Sequence, residues 1–419
     1  MVASMAEREP TDVVVLGAGI VGVSAAHAAR QHGLSVVLVD RREPGSETSY
    51  GNAGVLSSGS IFPFNKPSLF SALPRYVSNR HAALRWDPFW AARNVGWLLR
   101  FLANATPAHV RPRAMALHGL IGASLKLHRD WIVRAGAAAR LRETGWLKAW
   151  RSDGLTAATA EQALLAEYGI QSEVLDRQAV SALEPNIVPL YKAGLLHTQT
   201  ASVDSPGAVT KAYARMFAGS GGQLVRSEIT VIAPESDGWR VVLASGVIAA
   251  RHVVVALGPW SADLLRPLGY RVPLAFERGY HQEFRPNAAR PLHRPIHDAE
   301  GSFVMTPMEN GIRVSSGVEL TARDAPSCLA QLEAVVPLAR GVAEFGDSVG
   351  EVWRGARPTL PDSLPMIGAA PRRRGLWLAF GHQHIGFTTA PATGAAIAAM
   401  IKGQSPSFDV AAFSPGRYL

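Results

Sequence analysis

Three glycines in Gly17-Ala18-Gly19-Ile20-Val21-Gly22 stand between a strand-like run and a helix-like one, and no other feature narrows the fold as far. Before them, Val13-Val14-Val15-Leu16 is short, apolar and β-branched, which reads as a buried parallel strand. After them, helical spacing runs from Ile20 to Arg30 and stops at Gly33, and a second strand, Ser35 to Val39, closes on Asp40. That is a βαβ unit within about thirty residues. Gly17 permits a tight turn, Gly19 lets backbone approach a pyrophosphate, and Gly22 allows helix and strand to pack closely. The helix N-terminus supplies free N–H groups and partial positive charge for phosphates. Asp40, eighteen residues after Gly22, is placed to accept hydrogen bonds from ribose hydroxyls. The arrangement predicts a dinucleotide site on an α/β sheet.

The remainder of the chain adds further elements. Residues 41–67 are rich in Gly, Ser, Asn and Pro, too long for an ordinary connection. Residues 68–135 look helical, with Trp86, Phe89, Trp90, Trp97, Leu98, Phe101 and Leu102 crowded together. That cluster reads either as core packing or as a membrane-surface patch flanked by Arg93 and Arg100. A third strand, Val253 to Ala256, precedes Leu257-Gly258-Pro259-Trp260. Alternating segments around 271–284 and 302–319 predict antiparallel strands of a separate sheet. The chain ends on a strand, Leu376 to Phe380, a glycine-containing turn, and a helix from about Pro391 to Ile401.

Composition excludes several function classes. At 419 residues, 47% apolar and 18% charged, the chain can bury a large core in two domains. No 18-residue uncharged apolar run is present, so no membrane-spanning helix is expected. Met1 to Pro10 lacks the apolar stretch of a secretory signal, and the single Cys328 permits no intramolecular disulfide and no thiolate metal cluster. These features predict a cytoplasmic protein, with contact to the inner face of a membrane left open by the aromatic patch. The net charge of +9 rests almost wholly on scattered arginines, without a nucleic-acid motif, so no nucleic-acid partner is expected. His382 and His384 are spaced like metal ligands, but no third ligand is evident, and no metal is expected.

Two loops distinguish FAD from NAD. Thr48-Ser49-Tyr50-Gly51-Asn52-Ala53-Gly54 is a small-residue loop against which a flat ring system could lie. Gly381-His382-Gln383-His384-Ile385-Gly386-Phe387-Thr388 leads into a helix whose first N–H groups suit the carbonyl end of an isoalloxazine.

With these motifs the chain resembles the D-amino-acid dehydrogenase branch of the glycine oxidase and D-amino-acid oxidase superfamily. The likeness spans nearly the whole length: GAGIVG at 17–22 with Asp40-Arg41, TSYGNAG at 48–54, RETGWLKAWRS at 142–152 and HTQTASVDSPGAV at 197–209. It continues through VVVALGPWS at 253–261, ERGYH at 277–281, WRGARPTLPDSLPMIG at 353–368 and GHQHIGFTTAPATG at 381–394. The resemblance implies that FAD is held by Gly17, Gly19, Ile20, Val21 and Asp40, with Arg41 and Arg42 near the adenosine. It places Ser49, Tyr50, Asn52, Ala53, Gly54 and Val55 along the pyrophosphate and flavin, and Ile229 at the adenine. Gly258 and Trp260 fall on the ribose side, and Ile385, Gly386, Phe387 and Thr388 at the flavin pyrimidine. Sarcosine-oxidase relatives attach flavin to a cysteine near a Pro-Asp motif. This chain has Thr359-Leu360-Pro361-Asp362 there and no cysteine, which predicts a non-covalent flavin.

Arg357 matches the arginine that grips the substrate carboxylate in such relatives, a task suited to a planar fork of donors. The alternative is a structural arginine paired with Asp362 or a carbonyl. Tyr280 and His281 lie on a strand resembling the segment that faces the flavin. His384 stands where glycine oxidase has an arginine, so recognition there is expected to differ. Either histidine could instead be structural. The implied reaction is oxidative deamination of a D-amino acid, or of a cyclic imino acid such as a D-proline derivative. Hydride passes from Cα to flavin N5, and water hydrolyses the resulting imine. Electrons are expected to go to a quinone or electron-transfer acceptor. Alternatives are a glycine- or sarcosine-type oxidase using dioxygen, and a flavoprotein subunit of an electron-transfer complex. The expected fold is α/β: a discontinuous Rossmann-like FAD-binding domain (1–57, 195–270, 350–419) with a smaller α+β substrate domain (58–194, 271–349) bearing a mainly antiparallel sheet.

Overall fold

A computed structural model describes residues 10–419; the charged N-terminal stretch ahead of Pro10 lies outside the described residues. The expected βαβ unit forms from strand Thr11–Leu16, an opening helix Ile20–Gln31 and strand Val36–Asp40. These two strands pair in parallel, with Gln223–Arg226 beyond the second and Gly246–Val255 beside the first. Leu376–Phe380 extends the parallel core past Gly246–Val255, and Met366–Ala369 pairs antiparallel at its edge. An antiparallel pair, Ile229–Glu235 and Gly238–Leu243, grows from the first half of Gly246–Val255.

Both faces of the parallel core of this sheet are covered, which explains why residues 13–16, 36–39, 253–255 and 376–380 are apolar. Val13 and Val15 pack toward the opening helix and its neighbours, while Val14 and Leu16 pack on the other side with Trp239 and Val241. The opening helix is rich in alanine because it lies tightly against the closing helix, Gly386–Ile401. There a Cβ on Gly394 would stand 2.4 Å from the Ser24 backbone.

The closing helix begins earlier than expected. It starts at Gly386, and Pro391 sits inside it. A proline there leaves the carbonyl four residues back without its donor. The His128 Nε2 fills that need, 2.7 Å from the Phe387 carbonyl oxygen, so the helix runs through the proline. Residues 68–135 also differ from a single helical stretch. Helices Ser68–Val77, Pro88–Arg93, Val95–Ala103 and Pro107–Arg134 are interrupted by a short strand, Leu84–Trp86.

The second sheet has ten strands and is mainly antiparallel. Its spine is the pair Ala275–Pro286 and Phe345–Thr359. From Ala275–Pro286 the order runs through Gly311–Ser315, Phe303–Met308, Ile296–Asp298, Trp146–Trp150 and Ala193–His197 to Glu173–Asp176. One face carries Leu147, Ile296, Met305, Val314 and Tyr280 against Leu332, Val335 and Ala339 of helix Ala330–Arg340. The other turns toward the first sheet. The expected domain limits at 195 and 350 fall inside strands Ala193–His197 and Phe345–Thr359 of this sheet. The aromatic segment divides its roles. Trp90 and Trp97 pack with Ala275, whereas Phe89, Val95 and Leu99 are exposed.

Candidate active site

Where the two sheets meet, a continuous cavity of about 570 Å³ runs from the glycine turn to the face of the second sheet that turns toward the first. Its size lies within the roughly 300–1,000 Å³ of small-molecule and cofactor sites.

At the first end, Gly17 has φ 105° and its N–H donates to the Val39 carbonyl, 2.8 Å away. A Cβ on Gly22 would fall 1.8 Å from the Gly17 carbonyl oxygen, so both glycines are needed for this turn. The Asp40 carboxylate accepts from the Ala18 N–H at 2.6 Å and from the Arg42 N–H at 2.9 Å, which fixes it beside the loop. Ser49 Oγ accepts from the Ile20 N–H at 2.9 Å. The amides of Gly19 and Val21 make no hydrogen bond among the described residues, leaving donors for an anion. Arg41 lies over the Trp260 ring, 4.6 Å from its centroid, at the same end.

At the opposite end, strand Phe345–Thr359 is tied to the 381–385 turn through an antiparallel bridge, Thr359 to His382. Gln383 adopts φ 49° there, a left-handed conformation unusual for a side-chain-bearing residue. The turn aims the start of the closing helix at the cavity. The amides of Gly386, Phe387 and Thr388 have no backbone partner among the described residues, and no acidic side chain occupies the first turn. This end therefore favours negative charge.

Arg357 is held by a register effect. Along the antiparallel spine Glu277 stands opposite Arg357, Gly279 opposite Gly355, and His281 opposite Trp353, all on the cavity face. Gly279 leaves the space that the guanidinium fills: a Cβ there would lie 2.5 Å from Nη2. Asp362 pairs instead with Arg417 at 2.6 Å, and among the described residues the Arg357 guanidinium makes no hydrogen bond or ion pair. The structural alternative for this arginine is thus not realised. Beside it, the His384 ring packs on Phe64, and burial followed by the charge of Arg357 pushes its pKa down to about 3. His382 is likewise pushed down to about 3 by burial and lies 3.1 Å from the Thr393 hydroxyl. Both are neutral at ordinary pH.

Several expected site residues sit elsewhere. Tyr280 points away from the cavity because neighbouring strand residues face opposite sides. Its hydroxyl donates to Glu319 Oε2 at 2.6 Å and accepts from Arg278 Nη2 at 2.8 Å and the Cys328 N–H at 3.1 Å. His281 is on the cavity face but covered: its ring stacks on Trp353 with centroids 4.9 Å apart. Trp353 lies across Gly51 and Gly355, where a Cβ would meet its ring at 1.8 and 1.9 Å. Arg42 pairs with Glu47 at 3.0 Å, outside the cavity lining. The Tyr50 ring turns to Trp353 and Arg313 rather than into the cavity. Gly54 serves strand pairing: its carbonyl accepts from the Val203 N–H, and a Cβ would lie 2.2 Å from the Val203 oxygen. Gly17, Gly19, Ile20, Val21, Asp40, Arg41, Ser49, Asn52, Ala53, Val55, Ile229, Gly258, Trp260, Arg357, His384 and Ile385 to Thr388 all line the cavity.

Three contributors were missed. Trp353 and Gly279 stand within quoted motifs, and only strand register gives them a task. Buried Arg313 holds the 50–52 loop, donating from Nη1 to the Tyr50 and Asn52 carbonyls at 2.8 and 2.6 Å, with half-buried Glu283 as its counter-ion at 2.6 Å. Its charged position within an alternating apolar segment was the available signal.

The FAD dependent oxidoreductase family (DAO) matches residues 12–400. The chain belongs to this family. It is 31% identical over 431 residues to a D-amino-acid oxidase of Bradyrhizobium diazoefficiens, covering 98% of this chain and 100% of that protein. It is also 31% identical over 430 residues to a D-amino acid dehydrogenase of Cereibacter sphaeroides, covering 97% and 95%. In fold it is similar to glycine oxidase from Geobacillus kaustophilus, with TM-score 0.74, 21% identity and 98% and 99% coverage. L-proline dehydrogenase from P. horikoshii gives TM-score 0.74 at 17% identity, covering 98% of both chains. The protein is an FAD-dependent oxidoreductase of glycine oxidase-type fold. The unpaired loop amides, the Asp40 carboxylate and the amides opening the closing helix fit that cofactor. No helix among the described residues is long and apolar enough to cross a membrane.

Proposed function

We propose that this enzyme oxidises a D-amino acid, with cyclic imino acids such as a D-proline derivative within its range, and passes electrons to a quinone or other electron-transfer acceptor. The observation that carries this reading is the unpaired Arg357 guanidinium facing the cavity, a fork suited to a carboxylate. FAD supplies the hydride acceptor, held non-covalently because no cysteine stands in the Thr359–Asp362 segment. Glycine-turn amides and Asp40 take the pyrophosphate and ribose, and the opening of the closing helix stabilises negative charge on the ring's far end. Arg357 fixes which face of Cα is presented. Neutral His384 adds no second cation, and Trp353 and Trp146 give the cavity apolar lining. The D configuration and the dehydrogenase reading are supported by the names of the sequence relatives.

We assign residues 10–57, 198–270 and 360–419 to the flavin-binding unit and the other described residues to the substrate unit, adjusting the expected limits to whole strands. The exposed Phe89, Val95 and Leu99 with Arg93 and Arg100 support docking on a membrane's inner face, near a quinone pool.

Anaerobic mixing with a panel of D- and L-amino and imino acids tests the reading. Bleaching of the yellow flavin by D-forms is expected, and bleaching by L-forms alone would overturn it. A second reading, an oxidase using dioxygen, is favoured by the D-amino-acid oxidase relative. Stoichiometric hydrogen peroxide at full turnover in air, with no gain from an added quinone, would select it.

A further inference from the structure

Glu277 is a buried carboxyl with no cation in contact among the described residues. It is 3% exposed, and its Oε2 makes no hydrogen bond. It stands directly across the strand pair from Arg357, on the same face, yet no ion pair within 4 Å joins them among the described residues. Apolar residues flank it as well. Leu320 is its opposite number on the neighbouring strand, and Ala275, two residues earlier on the same face, packs with Trp90 and Trp97. The Thr359 hydroxyl donates a hydrogen bond to its carboxylate. Among the described residues the one charged group acting on it is Arg357, since His384, which faces that arginine from the 381–385 turn, is neutral.

One guanidinium therefore has two claimants in a poorly solvated place: Glu277 and the carboxylate of a bound substrate. Two carboxylates sharing one cation cannot both stay ionised without a large penalty. We infer that Glu277 is a positioning residue for Arg357: ionised, it competes for the guanidinium, and binding of a substrate carboxylate is coupled to uptake of one proton by Glu277. The inference rests on the reading of Arg357 as the carboxylate grip.

The titration of Glu277 agrees with this geometry. Burial, opposed by Arg357, pushes its pKa up to about 7. Once a ligand carboxylate neutralises Arg357, the opposing influence is offset and the pKa rises further. The sign follows from linkage. Below about pH 7 Glu277 is protonated with or without ligand, and affinity is level. Above it, the free site must take up a proton to bind, so affinity falls about tenfold per pH unit until the higher, ligand-bound pKa is reached.

The test uses the FAD-loaded enzyme and propionate, a carboxylate with no amino group, so the proton must come from solvent. Its dissociation constant is read from the flavin's visible spectrum between pH 6 and 9. Proton uptake is counted at pH 8 by calorimetry in two buffers of different ionisation heat. The expected results are a level affinity at pH 6–7, an approximately tenfold loss by pH 8, and uptake approaching one proton. Glu277→Gln should flatten the profile and bind propionate about tenfold more tightly than wild type at pH 8. Should that variant fail to fold, the proton count on the wild type decides alone. Propionate binding with one affinity across the range and no proton uptake overturns the inference and leaves the amino-acid reading standing. No propionate binding at any pH, with D-amino acids still bleaching the flavin, removes the carboxylate grip and this inference with it.

Discussion

Gly279→Ala probes the site without touching a charge. The added Cβ would lie 2.5 Å from Arg357 Nη2, 2.7 Å from Nη1 and 2.8 Å from Cζ. Comfortable contact needs about 3.5 Å, so the guanidinium must retreat by about 1 Å. It is the end of a flexible side chain beside a cavity, so the retreat is cheap for the fold. It is not cheap for a bidentate grip. Misplacement of about 1 Å costs on the order of 100-fold in rate, equivalent to about 2.7 kcal/mol of transition-state stabilisation. Flavin content and thermal midpoint should stay near wild type, while kcat/KM on the best D-amino acid falls by about two orders of magnitude. The measurement is steady-state kinetics with a dye acceptor, alongside a flavin absorbance ratio and a melting curve. A variant with kcat/KM within about threefold of wild type and an unchanged melting curve would refute the proposed packing of Arg357 against Gly279.

Acid or heat precipitation should release intact FAD into the supernatant, checked by absorbance; flavin pelleting with the polypeptide would contradict the non-covalent assignment. Stability should fall as pH drops below about 6.5, because burial pushes His27, His128, His197 and His297 down to about 4 and His382 to about 3. The unfolded chain then binds protons that the folded one refuses, so acid favours unfolding, and a melting midpoint unchanged from pH 7 to 5 would count against this. Flotation with anionic vesicles should carry the protein upward, and Leu99→Asp with Phe89→Asp should abolish it; equal flotation of the double variant would assign that surface no membrane role.

What the sequence made legible was local. The Gly17–Gly22 turn with Asp40 depends on contiguous residues, and their spacing alone specifies the strand, turn and helix. The face of the cavity depends instead on strand phase between segments some eighty residues apart. Alternation over 271–284 predicted a strand without saying whether Tyr280 or its neighbours faced inward. Pairing of Gly279 with Gly355, which makes room for Arg357 and Trp353, decides that. The helix start at Gly386 was hidden for a similar reason. Pro391 signals a beginning only when nothing satisfies the carbonyl of Phe387, and His128 comes from a distant helix.

The central claim is that Arg357 binds the carboxylate of an amino-acid substrate, and comparing kcat/KM for wild type, Arg357→Lys and Arg357→Ala tests it most directly. Removing one partner of a charge-assisted pair in a partly dry site is worth roughly 2–5 kcal/mol. The alanine variant should therefore lose about 30-fold to several thousandfold on a D-amino acid, with lysine intermediate because it keeps charge but not the fork. FAD content should hold, and the corresponding amine lacking a carboxylate should be a poor substrate for all three. An alanine variant with near-wild-type kcat/KM on the amino acid, or a wild type that oxidises the carboxylate-free amine equally well, would contradict the account.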